Sequence, residues 1–230
     1  MPQSSDETLT RRFYDRISSV YDLIADAGER KTRQAGLNAL DVQSGESVLE
    51  IGFGTGHSLQ FLTEAVGETG HICGVDLSTG MHHAALLRLE QAGLAGRVEL
   101  KVSAVPPIPW PDETFDAVTL SFTLELFPLN QIPEVLSEIR RVLKPGGRIG
   151  VVAMAVTPDG KEDSVLEKTY RWMHQHFPHI VDCQPIAAAQ LIETAGFRLI
   201  HQEHHEIWSL PVAVLVGLKS APDLLSSIKK

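Results

Sequence analysis

The sequence predicts an α/β fold with a seven-stranded, mostly parallel sheet, helices on both faces and an antiparallel C-terminal edge strand. Strand-like and helix-like apolar patterns alternate through most of the chain, and strands joined by helices form parallel sheets covered on both faces. A glycine-rich turn follows the first strand-like segment, where such sheets commonly bind ligands. Two strand-like segments close the chain without a helix between them, which predicts an antiparallel pair.

The elements follow one another closely along the chain. Strands are predicted at 47–52, 71–77, 97–103, 115–122 and 147–154, and helices between them at 57–67, 79–93 and 130–144. Gly93 and the Pro145-Gly146-Gly147 run mark two helix ends. Outside this region, we predict two helices within 7–41, further helices at 161–177 and 186–196, and final strands at 198–208 and 211–219.

Neither repeats nor a linker interrupts this pattern, so we predict one domain over residues 1–230. Within it, residues 1–42 are expected to form a helical lid, and residues 155–195 a helical segment on the substrate side.

Composition and charge exclude several classes of protein. Of 230 residues, 43% are hydrophobic, and no apolar run approaches the ~20 residues of a membrane-spanning helix. A net charge of −9 argues against a general nucleic-acid binder, which needs basic residues to neutralise phosphates. The two cysteines form no disulfide framework, and the N-terminus has no apolar signal core, so a cytoplasmic protein is expected. Cys73 lies in a predicted buried strand, where a structural role is expected.

The segment LEIGFGTGHSL at residues 49–59 predicts a ligand-binding turn. Gly52, Gly54 and Gly56 allow backbone dihedrals closed to other residues and a close approach to a ligand. The dinucleotide fingerprint needs its third glycine where this chain has His57, and no Gly-Lys-Ser/Thr follows to make a P-loop. Asp76 ends the next strand, where a carboxylate accepts hydrogen bonds from ribose hydroxyls. Taken alone, these features suit NAD, FAD or an adenosyl ligand.

Four motifs in order make the prediction more specific. VLEIGFGTGHSL, GVDLS, PWPDETFDAVTLSFTLELF and EIRRVLKPGGRI, within residues 46–154, resemble the successive motifs of class I S-adenosylmethionine-dependent methyltransferases. The flanking FYDRISSVYDLIADAGERKTR and SLPVAVLVGLK are similar to segments of the ubiquinone/menaquinone biosynthesis (UbiE-like) methyltransferases. This resemblance implies a Rossmann-like fold with S-adenosylmethionine as cofactor.

The resemblance also implies the roles of individual residues in cofactor binding. Glu50 and the backbone of the three glycines would hold the methionine part of the cofactor, and Asp76 would hold its ribose. The residues implied near the adenine are Leu77 and Met81.

Ser103 and Ala104 stand where the family often has an aspartate that binds the adenine amino group. Because serine carries no charge, this contact is expected from the Ala104 backbone. Ser121 would line the floor beneath the sulfonium, and Tyr21 would cap the methionine end.

Methyl transfer from an activated sulfonium depends mainly on alignment and water exclusion, so no obligatory catalytic triad is expected. The candidate proton acceptors are Tyr14, Glu125, His174 and His176. Glu125 follows the fourth strand, where it either contacts the substrate or serves as an acid favoured at a helix start. Tyr14 and Tyr21 share one predicted helix face, either in the site or in packing.

Histidine pairs and clusters at 82–83, 174–179 and 201–205 have poor spacing for a single ion, so no metal site is predicted from them. Six apolar residues are candidates to roof a substrate cavity: Phe122, Phe127, Trp172, Met173, Phe177 and Trp208. Together they favour an apolar or aromatic acceptor.

The leading functional hypothesis is methyl transfer to a small lipophilic or aromatic acceptor such as a quinone precursor. One alternative is an N- or S-methyltransferase acting on a phospholipid head group or a small thiol or amine. Another is a catalytically silent S-adenosylmethionine-binding partner protein. The expected partner is a small-molecule substrate and not nucleic acid, with transient membrane-surface contact if the acceptor is a lipid; a homodimer remains open.

Overall fold

A seven-stranded sheet in the order β3-β2-β1-β4-β5-β7-β6 forms the centre of the computed structural model, which describes residues 27–156, 185–207 and 210–220. Neighbouring strands among β1 to β5 pair in parallel, whereas β7 is antiparallel to both β5 and β6. The strands are β1 (Ser47–Ile51), β2 (His71–Asp76), β3 (Val98–Val102), β4 (Phe115–Ser121), β5 (Leu143–Met154), β6 (Phe197–Ile207) and β7 (Leu210–Lys219).

This topology confirms the predicted fold class. The antiparallel strand of the C-terminal pair is β7, which lies one position in from the edge, between β5 and β6. The edge strand β6 therefore runs in the same direction as the first five strands. β7 is buried along most of its length, as its apolar sequence predicts, whereas β6 is polar from His201 to Glu206 and buried only at its two ends, Phe197 and Ile207.

Helices cover both faces of the sheet. They are α1 (Ala27–Leu40), α2 (His57–Ala65), α3 (Thr79–Gln91), α4 (Ile132–Val142) and α5 (Ala188–Thr194), with short 3-10 turns at Ala95–Arg97 and Leu124–Leu126. Apolar side chains of α1, α2 and α3 pack in one buried cluster, and those of α4 and α5 pack in another. Each helix buries one apolar stripe against a face of the sheet. The helices therefore cover the faces, and the carboxyl ends of the strands form the edge where sheets of this kind bind ligands.

Most predicted elements begin or end within two residues of the observed ones, and strand pairing explains the main differences. The fourth helix ends at Val142 rather than Lys144, because Leu143 already pairs with Phe115 on β4. Between that pair and the next, Ala117 with Arg148, the register shifts and accommodates the Pro-Gly-Gly run. Ile186, predicted as helical, instead forms a parallel bridge with Ala155.

Part of the domain prediction lies outside the described residues. Of the expected lid at 1–42 the structure describes helix α1, and of the segment at 155–195 it describes 155–156 and 185–195. Cys73 is a buried free cysteine, and burial raises the pKa of its thiol to about 12, consistent with a structural role. Within the described ranges, no helix combines the length and apolarity needed to cross a membrane.

Arg148 ties the end of α1 to the start of β1. Its guanidinium makes two hydrogen bonds to the Glu46 carboxylate, at 2.8 and 2.7 Å, and donates to the Leu40 carbonyl at 2.6 Å. Burial alone would raise the pKa of Glu46. The hydrogen bonds from Arg148 and from the Gln43 amide outweigh burial, so the pKa of Glu46 lies below its usual range. This bidentate pair fixes α1 beside the strands that carry the glycine turn.

Helix α1 lies close to the sheet because it has a glycine at position 36. A Cβ added to Gly36 would overlap the Val152 Cγ2 methyl group on β5. The helix can therefore approach the sheet more closely than a helix with a larger residue there.

We expect Gly36→Ala to lower the free energy of unfolding by roughly 1–3 kcal/mol, although alanine favours helices elsewhere, because overpacking dominates at this contact. Urea unfolding would measure the change. Gly96→Ala is the matched control, since no atom lies within 4 Å of its added Cβ. Equal stability of the two variants would contradict the close approach of α1.

Candidate active site

The carboxyl ends of four neighbouring strands bring the described candidate residues to one edge of the sheet. The order β3-β2-β1-β4 places the ends of these strands side by side. The residues found there are Glu50, Gly52, Gly54, Gly56, Asp76, Leu77, Ser103, Ala104, Ser121 and Glu125, with Met81 in the first turn of α3. The predicted site residues that the structure describes therefore lie together at one edge of the sheet.

The three glycines between β1 and α2 have different physical roles. A Cβ on Gly52 would overlap the Thr123 side chain, and one on Gly56 would come 3.0 Å from the Ala85 Cβ. Gly54, with φ of +52°, has no atom within 4 Å of its added Cβ. Packing thus explains two of the glycines, and Gly54 alone has open space where a ligand could approach the backbone.

The Asp76 carboxylate holds the turn in shape. One oxygen accepts a hydrogen bond from the Gly54 amide at 2.9 Å, and the other accepts from the Ser78 amide at 2.8 Å. Ser78 in turn caps α3, because its hydroxyl accepts from the Met81 amide at 3.0 Å. Asp76 therefore connects the glycine turn, the end of β2 and the start of α3.

Glu50 is a buried acid at the end of β1. Its side chain is 2% exposed, and its Oε2 atom has no hydrogen-bond partner. Burial raises the pKa of Glu50 to about 8, although a hydrogen bond from Ser58 and the charge of Arg33 oppose this rise, while Asp76 adds to it. A buried carboxyl oxygen without a hydrogen-bond partner lowers the stability of the fold, and a cationic ligand group beside it would offset that loss.

A cavity of about 160 Å³ lies between α1 and the start of α2. Two of its lining residues, Ser58 and Arg33, also act on Glu50, through a hydrogen bond and through charge. Its lining residues are Arg30, Arg33, Gln34, Leu37, His57, Ser58 and Phe61. Two guanidinium groups and the amino end of α2 make this cavity suited to an anion. Sequence reasoning missed the two arginines. Their spacing of three residues on a predicted helix was the available signal, but only the fold places that helix against the glycine turn.

The end of β4 supplies a second polar group without a partner. The Ser121 hydroxyl is buried and makes no hydrogen bond. Ser121 lies at the same edge of the sheet as Glu50, because β1 and β4 are parallel neighbours and both residues are near the carboxyl ends of their strands.

Glu125 lies in the 3-10 turn after β4 and is 1% exposed. One of its oxygens accepts from the Met154 amide at 2.9 Å, while Oε2 is buried without a partner. Burial raises the pKa of Glu125 to about 7, hydrogen bonds from the backbone amides of Met154 and Glu125 partly oppose this, and the charge of Glu29 adds to it. The residue thus lies in the first turn of a short helix and also has a carboxyl oxygen available for a further contact.

The residues implied near the adenine follow β2 and β3. Ser103 donates its amide to the Asp76 carbonyl at 3.0 Å, and its hydroxyl donates to the Ala104 carbonyl at 3.1 Å. Leu77 is half-buried, whereas Met81 is only 2% exposed. Their adenine contacts stay predictions.

Several predicted residues lie outside the described ranges. These are Tyr14, Tyr21, His174 and His176, together with the apolar candidates Trp172, Met173, Phe177 and Trp208. The histidine cluster at residues 201–205 lies on β6. There, the His201 and His205 rings both contact the Glu203 carboxylate, at 3.4 and 3.2 Å.

Comparisons with known proteins match this chain to methyltransferases. Residues 48–147 match the model of a methyltransferase domain family. A demethylmenaquinone methyltransferase of Listeria monocytogenes serotype 4b is 34% identical over 213 residues, covering 84% of this chain and 85% of that protein. A nocamycin O-methyltransferase of Saccharothrix syringae is 26% identical over 210 residues, covering 84% of this chain and 74% of that protein.

The fold is similar to that of a solved methyltransferase. The crystal structure of Burkholderia thailandensis 1,6-didemethyltoxoflavin-N1-methyltransferase, with bound 1,6-didemethyltoxoflavin and S-adenosylhomocysteine, aligns with a TM-score of 0.68. Its sequence is 17% identical, and the alignment covers 96% of this chain and 92% of that one.

The fold and the matched domain define a class I S-adenosylmethionine-dependent methyltransferase, an enzyme whose cofactor is S-adenosylmethionine. Within this class, the chain belongs to the family that includes the demethylmenaquinone methyltransferases, the UbiE-like group. The site fits the cofactor chemically, since the unpaired Glu50 and Ser121 oxygens and the open face of Gly54 border one strand edge.

We expect Asp76→Ala to weaken S-adenosylmethionine binding by roughly 1.5–3 kcal/mol, because charged hydrogen bonds are lost at the ribose and at the glycine turn. The cofactor-free protein should also unfold at lower urea concentration. Calorimetric titration measures the first effect. Ser78→Ala is the control, since it removes the cap of α3 and leaves the Asp76 carboxylate in place. An unchanged dissociation constant for Asp76→Ala would remove this residue from the site.

Glu50 should make the stability of the cofactor-free protein fall as pH rises. Folding raises its pKa from 4.5 to about 8, so the folded state binds more protons between these values and loses stability through this window. At roughly 1.4 kcal/mol per pKa unit, the loss amounts to several kcal/mol.

Glu50→Gln keeps the shape without the charge, so this variant should be more stable than the parent at pH 8 and similar near pH 4.5. Urea midpoints across this pH range test the difference between the two proteins. Glu68→Gln controls for the loss of one exposed negative charge. If the urea midpoints of Glu50→Gln and the parent changed with pH in parallel, the Glu50 carboxyl would not be the group that makes stability fall as pH rises.

Proposed function

We propose that this methyltransferase acts on a small lipophilic or aromatic acceptor similar to a quinone precursor. The observation that carries the proposal is a set of large apolar side chains in the segments that follow β4 and β5, at the same edge of the sheet as the polar residues proposed to bind the cofactor. The named activity of the Listeria relative, demethylmenaquinone methylation, supports the same acceptor chemistry.

We call four residues of these segments, Phe122, Phe127, Leu129 and Val156, the apolar rim; Phe122 packs against the buried cluster that includes Val152 and Met154, and Phe127 packs against the one that includes Leu124 and Ala155. Leu129 and Val156 are 54% and 43% exposed, so an apolar ligand bound here would remove their apolar surface from water. Phe122 has a left-handed φ of +53°, held by a 2.7 Å hydrogen bond from its amide to the Val152 carbonyl. Such strain in a non-glycine residue concentrates at ligand sites. An apolar acceptor would be desolvated against this rim.

The cofactor is proposed to lie along the ends of β1, β2 and β4. Its ammonium group would approach Glu50, its carboxylate would enter the cavity at Arg30 and Arg33, and its ribose would approach Asp76. When bound, it supplies a methyl group activated by a positively charged sulfur. The task of the chain is to align the acceptor with that methyl group and to exclude water.

Glu125 is proposed to accept the acceptor's proton. An acceptor hydroxyl must lose its proton as the new bond to the methyl carbon forms. Glu125 has a pKa of about 7 and a buried oxygen without a partner, so it is ionised in part at neutral pH and poised for proton transfer.

Arg33 provides a test of how the cofactor is oriented. Its side chain is 14% exposed and lines the anion-suited cavity. We expect Arg33→Met to weaken S-adenosylmethionine and S-adenosylhomocysteine by roughly tenfold each, the scale of a charge-assisted hydrogen bond.

Methylthioadenosine, which lacks the amino-acid part, should bind the parent and Arg33→Met equally. Calorimetric titration of the three ligands makes this comparison, and Arg198→Met provides a control on an exposed guanidinium on β6, away from the cavity and the glycine turn. Equal weakening of methylthioadenosine would contradict the proposed orientation.

The acceptor is tested with methyl-labelled S-adenosylmethionine and demethylmenaquinone, and in parallel with a whole-cell extract. Label in the organic fraction would support the lipophilic acceptor. Label confined to the aqueous fraction would favour a phospholipid head-group fragment or a small thiol or amine. Label in a lipid pool would further suggest transient contact of the enzyme with a membrane surface.

Glu125→Gln should lower turnover by about 10²-fold, the scale of general-base catalysis, with cofactor affinity nearly unchanged. For the parent, kcat should rise with pH up to about 7 and then level, because only the ionised carboxylate accepts a proton. The variant should lose this dependence. Equal losses of turnover and cofactor affinity would count against the role in proton transfer.

A further inference from the structure

A second group of ligand-type side chains lies on β2 and β3, away from the active site. Cys73 pairs with Glu99 across these strands, and His71 precedes Cys73 by two residues and so shares its face of the sheet. One ligand atom from each of the three side chains lies within 4.8 Å of the other two. Imidazole, thiolate and carboxylate are the groups that zinc prefers in proteins.

We propose that His71, Cys73 and Glu99 bind a zinc ion outside the active site. The Cys73 Sγ to Glu99 Oε2 distance is 3.8 Å. Sulfur and oxygen ligands of a tetrahedral zinc are about 3.6 Å apart, given the usual bond lengths. His71 and Glu99 are exposed, so water can occupy the fourth position. The thiol proton leaves to solvent as the sulfur binds the metal.

Lys101 is the neighbouring charge that opposes a cation here. Its ammonium lies 3.0 Å from Glu99 Oε1 and 4.2 Å from the centre of the Trp110 ring. It therefore engages one carboxylate oxygen and leaves Oε2 facing Cys73. Because like charges repel, the ammonium should weaken zinc binding, and its removal should strengthen it.

The location of the cluster defines what the ion does. Cys73 lies three residues before Asp76, roughly 10 Å along the strand, so the ion does not reach the reacting groups. Among the strands that the structure describes, β3 lies at the edge of the sheet and pairs with β2 alone. A zinc ion that bridges β2 and β3 would therefore stabilise the edge of the sheet without taking part in methyl transfer.

Cobalt titration of untagged full-length protein tests the site, because tetrahedral thiolate-bound cobalt has a charge-transfer band in the near ultraviolet and visible ligand-field bands. The Cys183→Ser background restricts the thiolate signal to Cys73. The expected result is one equivalent of bound cobalt, displaced by zinc, and a higher thermal midpoint on zinc addition. Absence of a charge-transfer band in excess cobalt would overturn the proposal.

Variants separate this site from adventitious histidine binding. His71→Ala and Glu99→Gln alter exposed residues and should each weaken cobalt binding at least tenfold, while Lys101→Met should strengthen it several-fold. His83→Ala is the control, an exposed histidine on α3 that should bind as the parent does. Retention of parental affinity by His71→Ala would overturn the assignment, as would equal weakening by His83→Ala. Methyl transfer by His71→Ala should equal that of the parent.

Discussion

The active-site edge depends on one carboxylate, that of Asp76, because its two oxygens fix the glycine turn and the start of α3 together. The turn could not hold its shape through side chains of its own, since it contains three glycines. Packing from Thr123 and Ala85 fills the space at two of these glycines. The open backbone beside Gly54 is therefore a preorganised surface, so ligand binding loses little free energy to ordering the turn.

Buried acids give this edge its electrostatic character. Glu50 and Glu125 each have a raised pKa because burial disfavours their charged forms. Buried acids of this kind lower the stability of the fold, which makes them candidates for functional groups. A ligand with cationic groups would offset the free energy lost by burying them. The arginines of α1 add positive charge in the cavity at the start of α2, where the proposed cofactor orientation places the carboxylate of the amino-acid part.

The strand ends divide the edge into two chemically different parts. The ends of β1 and β2 are polar and carry Glu50 and Asp76, whereas the residues after β4 and β5 form an apolar rim. Ser121 and Glu125 lie at the boundary between them. If the proposed acceptor is apolar, this division would bring it and the polar cofactor to neighbouring parts of one edge, as an in-line transfer requires.

The sequence by itself determined the sheet, its covering helices and the edge that carries the site, because strand and helix periodicities and the glycine turn are local signals. It also pointed to Asp76 and Glu125 by their positions after strands. Only the tertiary structure decided that Arg30 and Arg33 face the turn, that Glu50 lacks a partner for one oxygen and that His71 meets Cys73 and Glu99. These features depend on how separate segments pack and on the dielectric of their surroundings, and neither is encoded in the spacing of residues along the chain.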